Sequence, residues 1–268
     1  MEQGEIDAGI QHYYSNVFDE DARLTTRSAQ SALEFIRVQE LVGDRIGAGS
    51  KVVDIGGATG IHAAPLAAAG HEVTLVDPVE EQVAKAQRHG TFPAEVGDAR
   101  QLRFADDSFD VALLFGPLYH LRTPEDRLKA LREAARVVVP GGWVFAAAIP
   151  RFIHHAAVSL GREAPNPYPA AWIELLESGT PIPGGRFPAG HLHTAEELQT
   201  ELTTAGLTAI ELHAIEGPAG FALEQLPSDE DLLQAALTLV RRTGHLKAIR
   251  DLTTHLMAIG RTPSPTTP

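Results

Sequence analysis

The chain has 268 residues, 44% of them apolar and 21% charged, the make-up of a protein that buries a full core rather than one that stays unfolded. It carries no cysteine, which excludes disulfides, thiolate zinc sites and cysteine nucleophiles, and its formal charge of -13 disfavours a phosphate backbone as ligand. The start Met1-Glu2-Gln3-Gly4-Glu5 lacks a signal peptide's basic and then apolar run, and nothing reaches the roughly 18 uninterrupted apolar residues of a membrane span, so a cytoplasmic protein engaging neither nucleic acid nor membrane is expected.

In chain order, the first fifty residues read as helical, with Leu33, Ile36, Leu41, Val42 and Ile46 forming an apolar stripe before Gly47-Ala48-Gly49-Ser50 breaks it. From Lys51 short apolar runs alternate with helical stretches, the pattern of βαβ units in a parallel sheet. Strands are expected near Lys51–Ile55, Glu72–Val76, Ala94–Val96, Phe109–Phe115 and Trp143–Ile149, and helices near Ile61–Ala69, Glu80–Arg88 and Glu125–Val137. Thr123-Pro124 supplies an N-cap and a first-turn proline, and Pro140-Gly141-Gly142 is expected to turn the chain into the next strand.

Residues 150–193 lose this regularity, carrying Pro165, Pro167, Pro169, Pro181, Pro183 and Pro188 with Gly184-Gly185, and read as an insertion over the sheet's carboxyl edge. Thr194-Ala195-Glu196-Glu197 is a capping box that opens a helix running to Gly206. A strand near Leu207–Ile215, a helix near Asp229–Arg242 and a last strand near His255–Ile259 follow. The expected organisation is one domain over residues 1–262: a helical cap at 1–49, a core at 50–149, the insertion at 150–193, the rest of the sheet at 194–262, and a disordered tail at 263–268.

The chemistry concentrates at strand ends. Val52-Val53-Asp54-Ile55-Gly56-Gly57-Ala58-Thr59-Gly60 is a buried strand running into glycines, where the backbone approaches a ligand closely and Asp54 sets a carboxylate beside the turn to hold a cation. A nicotinamide dinucleotide would want G-x-G-x-x-G, which Gly56, Gly57 and Gly60 do not meet, so a NAD-dependent oxidoreductase is the weaker alternative. Asp77-Pro78 ends the second strand, where an acid accepts ribose hydroxyls, and Gly97-Asp98-Ala99 ends the third, where a carboxylate accepts from an adenine amino group. Each alone reads as readily as an ordinary turn; in this order they face one crevice.

The succession of these motifs, with Phe109-Asp110-Val111-Ala112-Leu113-Leu114-Phe115-Gly116 and Pro140-Gly141-Gly142, resembles the class I S-adenosylmethionine (SAM) dependent methyltransferase family over roughly residues 50 to 150. Within it, Gly-Pro-Leu-Tyr-His-Leu at Gly116–Leu121 is similar to a bacterial small-molecule group. The resemblance implies an α/β, Rossmann-like, doubly wound and mostly parallel seven-stranded sheet with an antiparallel last strand. It also implies SAM as cofactor, S-adenosylhomocysteine as product, a small-molecule methyl acceptor, and a monomer or homodimer. Carried over by position, Asp54, Gly56, Gly57 and Gly60 match the first motif, with Ala58 where the middle glycine usually stands. Asp77 with Pro78 matches the ribose acid, and Gln82 stands one turn into the next helix. Asp98 with Ala99 matches the adenine pair, and Phe115, Gly116 and Leu118 the wall after the fourth strand.

Methyl transfer is an in-line displacement that needs a base only where the acceptor is protonated. His120 beside Tyr119 is the first candidate base; the competing reading is that both merely shape the pocket. Tyr13-Tyr14 resembles an aromatic lid whose ring face favours a sulfonium, and ordinary helix packing explains the pair equally. His154, His155, His191 and His193 bracket the insertion as a base, His193 being the one retained as a catalytic candidate, as a metal site, or as structural histidines; no metal is expected. Phe152, Tyr168, Trp172 and Phe187 either supply an apolar acceptor pocket or anchor the insertion. A protein of this fold that binds SAM without transferring methyl, as a binding module or rearrangement catalyst, is the rival reading.

Overall fold

The computed structural model describes residues 2–16, 28–152, 170–182, 188–224, 226–227 and 229–264. Its strands are β1 (Lys51–Ile55), β2 (Glu72–Asp77), β3 (Ala94–Val96), β4 (Phe109–Leu114), β5 (Val138–Ala148), β6 (Thr208–Ala214) and β7 (Leu256–Arg261). The helices that matter below are α1 (Gln3–Asn16), α2 (Ala29–Gly43), α3 (Ala63–Ala68), α4 (Glu80–His89), α5 (Pro124–Val137), α6 (Ala170–Ser178), α7 (Ala195–Thr204) and α8 (Glu230–Thr243).

β1 is buried along all but its first residue, as a central parallel strand covered on both faces should be. Its neighbours β2 and β4 run parallel to it, and the sheet order is β3-β2-β1-β4-β5-β7-β6. The order reverses between β1 and β4, the switch point where open α/β sheets hold their ligands beyond the strands' carboxyl ends. β7 is antiparallel to both β5 and β6, which is the expected antiparallel last strand.

Side-chain alternation splits the core into two layers. Val52, Leu75, Val111, Leu113 and Phe145 pack with Val38 and Leu41 of α2, Leu66 of α3 and Val83 of α4. Val53, Ile55, Ala112, Leu114 and Val144 pack with Leu131 of α5 and Leu198 of α7. Both helices of the second layer begin at side-chain caps: Thr123 accepts from the Asp126 amide, with Pro124 in the first turn, and Thr194 forms the capping box with Glu197. The helical cap consists of α1 and α2. α1 lies beside α4, with Ile6 and Ile10 packed on Val79, and α2 packs through Leu33 on Leu233, Leu237 and Val240 of α8.

Pro140-Gly141-Gly142 departs from the sequence expectation. Phe109 pairs with Val138 and Val111 with Trp143, so these residues are a bulge inside one long β5 and not a turn before it. Gly141 takes φ +77, and a Cβ on Gly142 would lie 2.6 Å from the Asp110 carbonyl oxygen, so two glycines let the extra residues fit. Thr262 keeps the bulge in place: the Gly141 amide donates to its carbonyl at 3.2 Å and the Gly142 amide to its Oγ1 at 3.0 Å.

Part of the insertion has regular structure, because α6 packs Leu175 on Ala189 and Leu192. Pro165, Pro167, Pro169, Pro183, Gly184, Gly185, His154, His155, Tyr168 and Phe187, with tail residues 265–268, lie outside the described residues. Among the described residues, no helix is long and apolar enough to cross a membrane.

Candidate active site

A cavity of about 320 Å³ opens over the carboxyl ends of β1, β2 and β4. Asp54 stands at its base, 1% exposed, and neither carboxylate oxygen has a hydrogen-bond partner among the described residues. Burial, then the charge of Asp77, pushes its carboxyl up to about 7. Gly57 makes room for it, since a Cβ there would lie 2.5 Å from Asp54 Oδ2 and 2.8 Å from Leu75 Cδ1. A buried carboxylate without a donor is costly, and a cationic ligand group relieves that cost.

Asp77 is held differently. Its Oδ2 accepts from the Ala58 amide at 2.9 Å and its Oδ1 from the Val79 amide at 2.8 Å, which aims the carboxylate across the tip of β2. The first contact explains Ala58, which takes φ +49 and so adopts the left-handed conformation of the glycine it replaces, at a cost of about 1–2 kcal/mol. Gly56, Pro78, Ala99, Phe115 and Gly116 also border the cavity, as the resemblance implies.

Gly60 and Leu118 do not line it. Gly60 has φ +87 and a Cβ there would meet Phe92 Cζ at 2.5 Å, so packing rather than a ligand requires the glycine. Leu118 is fully buried in the core with Val53 and Leu131, because the short 3-10 turn Pro117–Tyr119 turns its side chain into the core between two residues that border the cavity.

At the tip of β3, Asp98 is engaged by a residue that the motif reading passed over. Arg100 donates through Nε to Asp98 Oδ1 at 3.0 Å, through a terminal nitrogen to Oδ2 at 2.6 Å, and through its amide to Oδ1 at 2.8 Å. Burial alone would raise the Asp98 carboxyl, but these contacts outweigh it and hold it below its ordinary value. Arg100 also reaches Asp7 of α1 at 3.4 Å, tying α1 to the tip of β3.

α1 is fastened at two further points: Gln11 donates to the Pro78 carbonyl at 2.7 Å, and Gln82, 1% exposed, to the Tyr14 carbonyl at 2.5 Å. Tyr14 borders the cavity, with its hydroxyl 3.1 Å from His120 Nε2. His120 Nδ1 lies 2.8 Å from the Pro188 carbonyl, which only accepts, so Nδ1 carries the proton and Nε2 accepts from Tyr14. Burial pushes His120 down to about 4, so it is neutral at physiological pH and positions Tyr14. Tyr119 borders the cavity while its hydroxyl donates to the Phe115 carbonyl at 2.9 Å.

His193 is not at the cavity. It is fully buried between α5 and α7, where Nε2 lies 3.2 Å from Glu201, which also binds Arg127 at 2.7 Å; burial pushes it down to about 4. This is a structural network, and it explains the histidine's place beside the insertion. Phe152, Trp172 and His191 likewise do not border the cavity. The cavity instead continues to Val38, Ala147, Ile215, Glu34, His62 and His255, none of which the sequence singled out. Glu34 looks like the polar side of α2 and His255 like a strand-entry residue, and no local spacing links them.

A family described as a methyltransferase domain matches residues 53–146. An O-methyltransferase of Aspergillus nomiae is 30% identical over 188 residues, covering 69% of this chain and 77% of that protein. The chain belongs to the class I SAM-dependent methyltransferase family. A demethylmenaquinone methyltransferase of Corynebacterium kroppenstedtii is 43% identical over 95 residues, 35% of this chain, and the match spans 39% of that relative's length. A SAM-dependent methyltransferase structure from Thermotoga maritima superposes with a TM-score of 0.61 at 17% identity, covering 95% of this chain and 99% of that one, a likeness of fold. SAM is this methyltransferase family's cofactor, and the site fits it: the donorless Asp54 carboxylate suits an ammonium, and Asp77 suits a ribose diol.

Proposed function

We propose that this methyltransferase moves the methyl group of SAM to a small-molecule acceptor held in the same cavity. One observation carries the reading: Asp54 is a buried carboxylate beneath a glycine turn with no donor among the described residues, a placement that a cationic cofactor makes favourable. SAM supplies an electrophilic methyl on a positively charged sulfur. The chain's own residues hold and enclose it. Asp54 takes the ammonium, Asp77 the ribose hydroxyls, and Ala99 with the loop of Asp98 borders the adenine. α1 closes the cavity with Tyr14, which excludes water from a reaction that needs only alignment of acceptor, methyl and sulfur.

The acceptor class rests on two supports. The Corynebacterium relative is named for demethylmenaquinone, a small molecule, and a net charge of -13 repels a polyanionic nucleic acid. Isothermal titration with S-adenosylhomocysteine, followed by incubation with methyl-labelled SAM and a metabolite extract, tests the reading. Binding and label in a small metabolite are expected. A folded chain that binds no S-adenosylhomocysteine refutes it, and binding without any label transfer favours the non-transferring alternative.

A further inference from the structure

One face of α1 borders the cavity: Asp7, Ile10, Gln11 and Tyr14 recur at helical spacing and all line it. Little apolar surface holds the helix there. Ile6, Ile10 and Tyr14 cluster with Val79, and several other contacts are polar, such as Gln11 on the Pro78 carbonyl and Ser15 on Glu81, each at 2.7 Å. A helix docked this lightly responds to a single strengthened ion pair.

Arg100 stands where acids from three elements meet: Asp98 follows β3, Asp7 lies on α1, and Asp126 is in the first turn of α5. The tight turn from Asp98 to Gln101, closed by the Gln101 amide on the Asp98 carbonyl at 3.0 Å, folds Arg100 back on Asp98. There Nε lies 3.0 Å from each carboxylate oxygen, Nη2 lies 2.6 Å from Oδ2, and the Arg100 amide lies 2.8 Å from Oδ1. A carboxylate offers about four lone-pair sites, so one residue fills nearly all the capacity of Asp98. The same Nη2 reaches Asp7 Oδ2 only at 3.4 Å, a long contact. Gln3 holds the other oxygen of Asp7 at 2.8 Å, which leaves Oδ2 toward Arg100. Asp126 is farther, 3.7 Å from Nη1, and has Lys129 at 3.0 Å. An adenine amino group therefore settles on Asp98 only by displacing part of this fork.

We propose that Arg100 is a positioning residue that passes from Asp98 to Asp7 when the adenine amino group takes its place, drawing α1 over the cofactor. The inference rests on the reading that SAM occupies the cavity with its adenine beside Asp98. Asp7 is the receiver because Nη2 already reaches it, whereas Asp126 has its own lysine. Asp98 keeps the Arg100 amide and gains the adenine N–H, and the guanidinium keeps a carboxylate. A purine without the amino group leaves Arg100 on Asp98 and α1 loosely docked. Enclosure of the methyl group is thus made conditional on adenine, and by linkage the Asp7 contact in turn strengthens binding of the amino purine.

The test uses the full chain with S-adenosylhomocysteine and with its deamino analogue, in which hydrogen replaces the adenine amino group. At saturation, S-adenosylhomocysteine should slow amide exchange in α1 about two- to fivefold more than the analogue, the range of a part-exposed ion pair. That comparison needs no variant. Arg100→Gln should erase the difference while both ligands still protect the turn Gly56–Gly60. By titration, Asp7→Asn should weaken S-adenosylhomocysteine about two- to fivefold, leave the analogue's affinity unchanged, and lose its effect in the Arg100→Gln background. An arginine with a merely structural role would move both ligands alike. Equal affinity for the two ligands, equal slowing of α1 by both, a difference that survives Arg100→Gln, or additive effects of Asp7→Asn and Arg100→Gln would each overturn the assignment. Failure of the wild-type chain to bind either ligand would instead overturn the cofactor reading beneath it.

Discussion

The two ends of the cavity are assembled in opposite ways. At the cofactor end each acid sits near the tip of a strand, and backbone of the strand-end turns does the work: Gly57 clears space for Asp54, and the Val79 amide with the Ala58 amide of the neighbouring turn grips Asp77. At the other end Glu34, Glu216 and His255 are brought together only by tertiary packing of α2 against the β6–β7 side of the sheet. A binding site common to many chemistries is encoded in short motifs, whereas the opposite end of the cavity is dispersed along the chain.

Substitutions at the cofactor end sharpen this contrast, and the largest effect is expected at Gly57. Gly57→Ala sets a methyl carbon 2.5 Å from Asp54 Oδ2, so displacement of the carboxylate should cost about 1–3 kcal/mol of stability and reduce S-adenosylhomocysteine affinity more than 100-fold, read by thermal unfolding and titration. Next, Asp54→Asn should weaken S-adenosylhomocysteine by about 1.5–3 kcal/mol, the usual worth of a hydrogen bond to a charged group. The same variant should alter stability with a definite sign. The Asp54 carboxyl is raised by burial to about 7 from 3.8, so the unliganded wild type should lose stability as pH rises between those values, and Asp54→Asn should lose less. An unchanged pH profile would mean that Asp54 does not carry that strain.

Smaller effects are expected where the lid and the turn are only tuned. Tyr14→Phe removes the donor to His120 Nε2 and should cost about 0.5–1.5 kcal/mol in stability or lid closure, seen as faster amide exchange in α1. Ala58→Gly relieves a left-handed alanine at φ +49 against glycine's greater unfolded freedom, so it should stabilise by about 1 kcal/mol at most, with cofactor affinity preserved. A destabilised Ala58→Gly would show that the alanine methyl packs usefully.

What was legible in the sequence follows the same division. β1 and β2 with Asp54 and Asp77 could be read because their burial writes apolar runs and the turn writes glycine, whereas β3 is a short, partly exposed edge strand marked by the Gly97-Asp98 that follows it. Thr194 and Glu197 announced α7 because a capping box is local. Pro140-Gly141-Gly142 misled, since a bulge uses the same residues as a turn and only the pairing with Thr262 separates them. Gly60 and Leu118 stand inside the motif yet serve Phe92 and the core, a difference of side-chain direction that spacing does not record. His193 drew notice as a histidine near the insertion, whereas its partner Glu201 lies on the following helix and holds it in a buried network. Glu34 and His255 carried no signal, because their partners come from other elements, and Arg100, whose partner Asp98 is two residues away, stands outside the matched motif.

The most direct test of the cofactor site is S-adenosylhomocysteine binding to the wild-type chain, followed by calorimetry from pH 5 to 8. With Asp54 at about 7 in the free protein and ionised against the ligand's ammonium, affinity should fall about tenfold per pH unit below 7, with close to one proton released per ligand bound near pH 6. An affinity independent of pH across that range, with no proton released, would contradict the placement of the ammonium on Asp54.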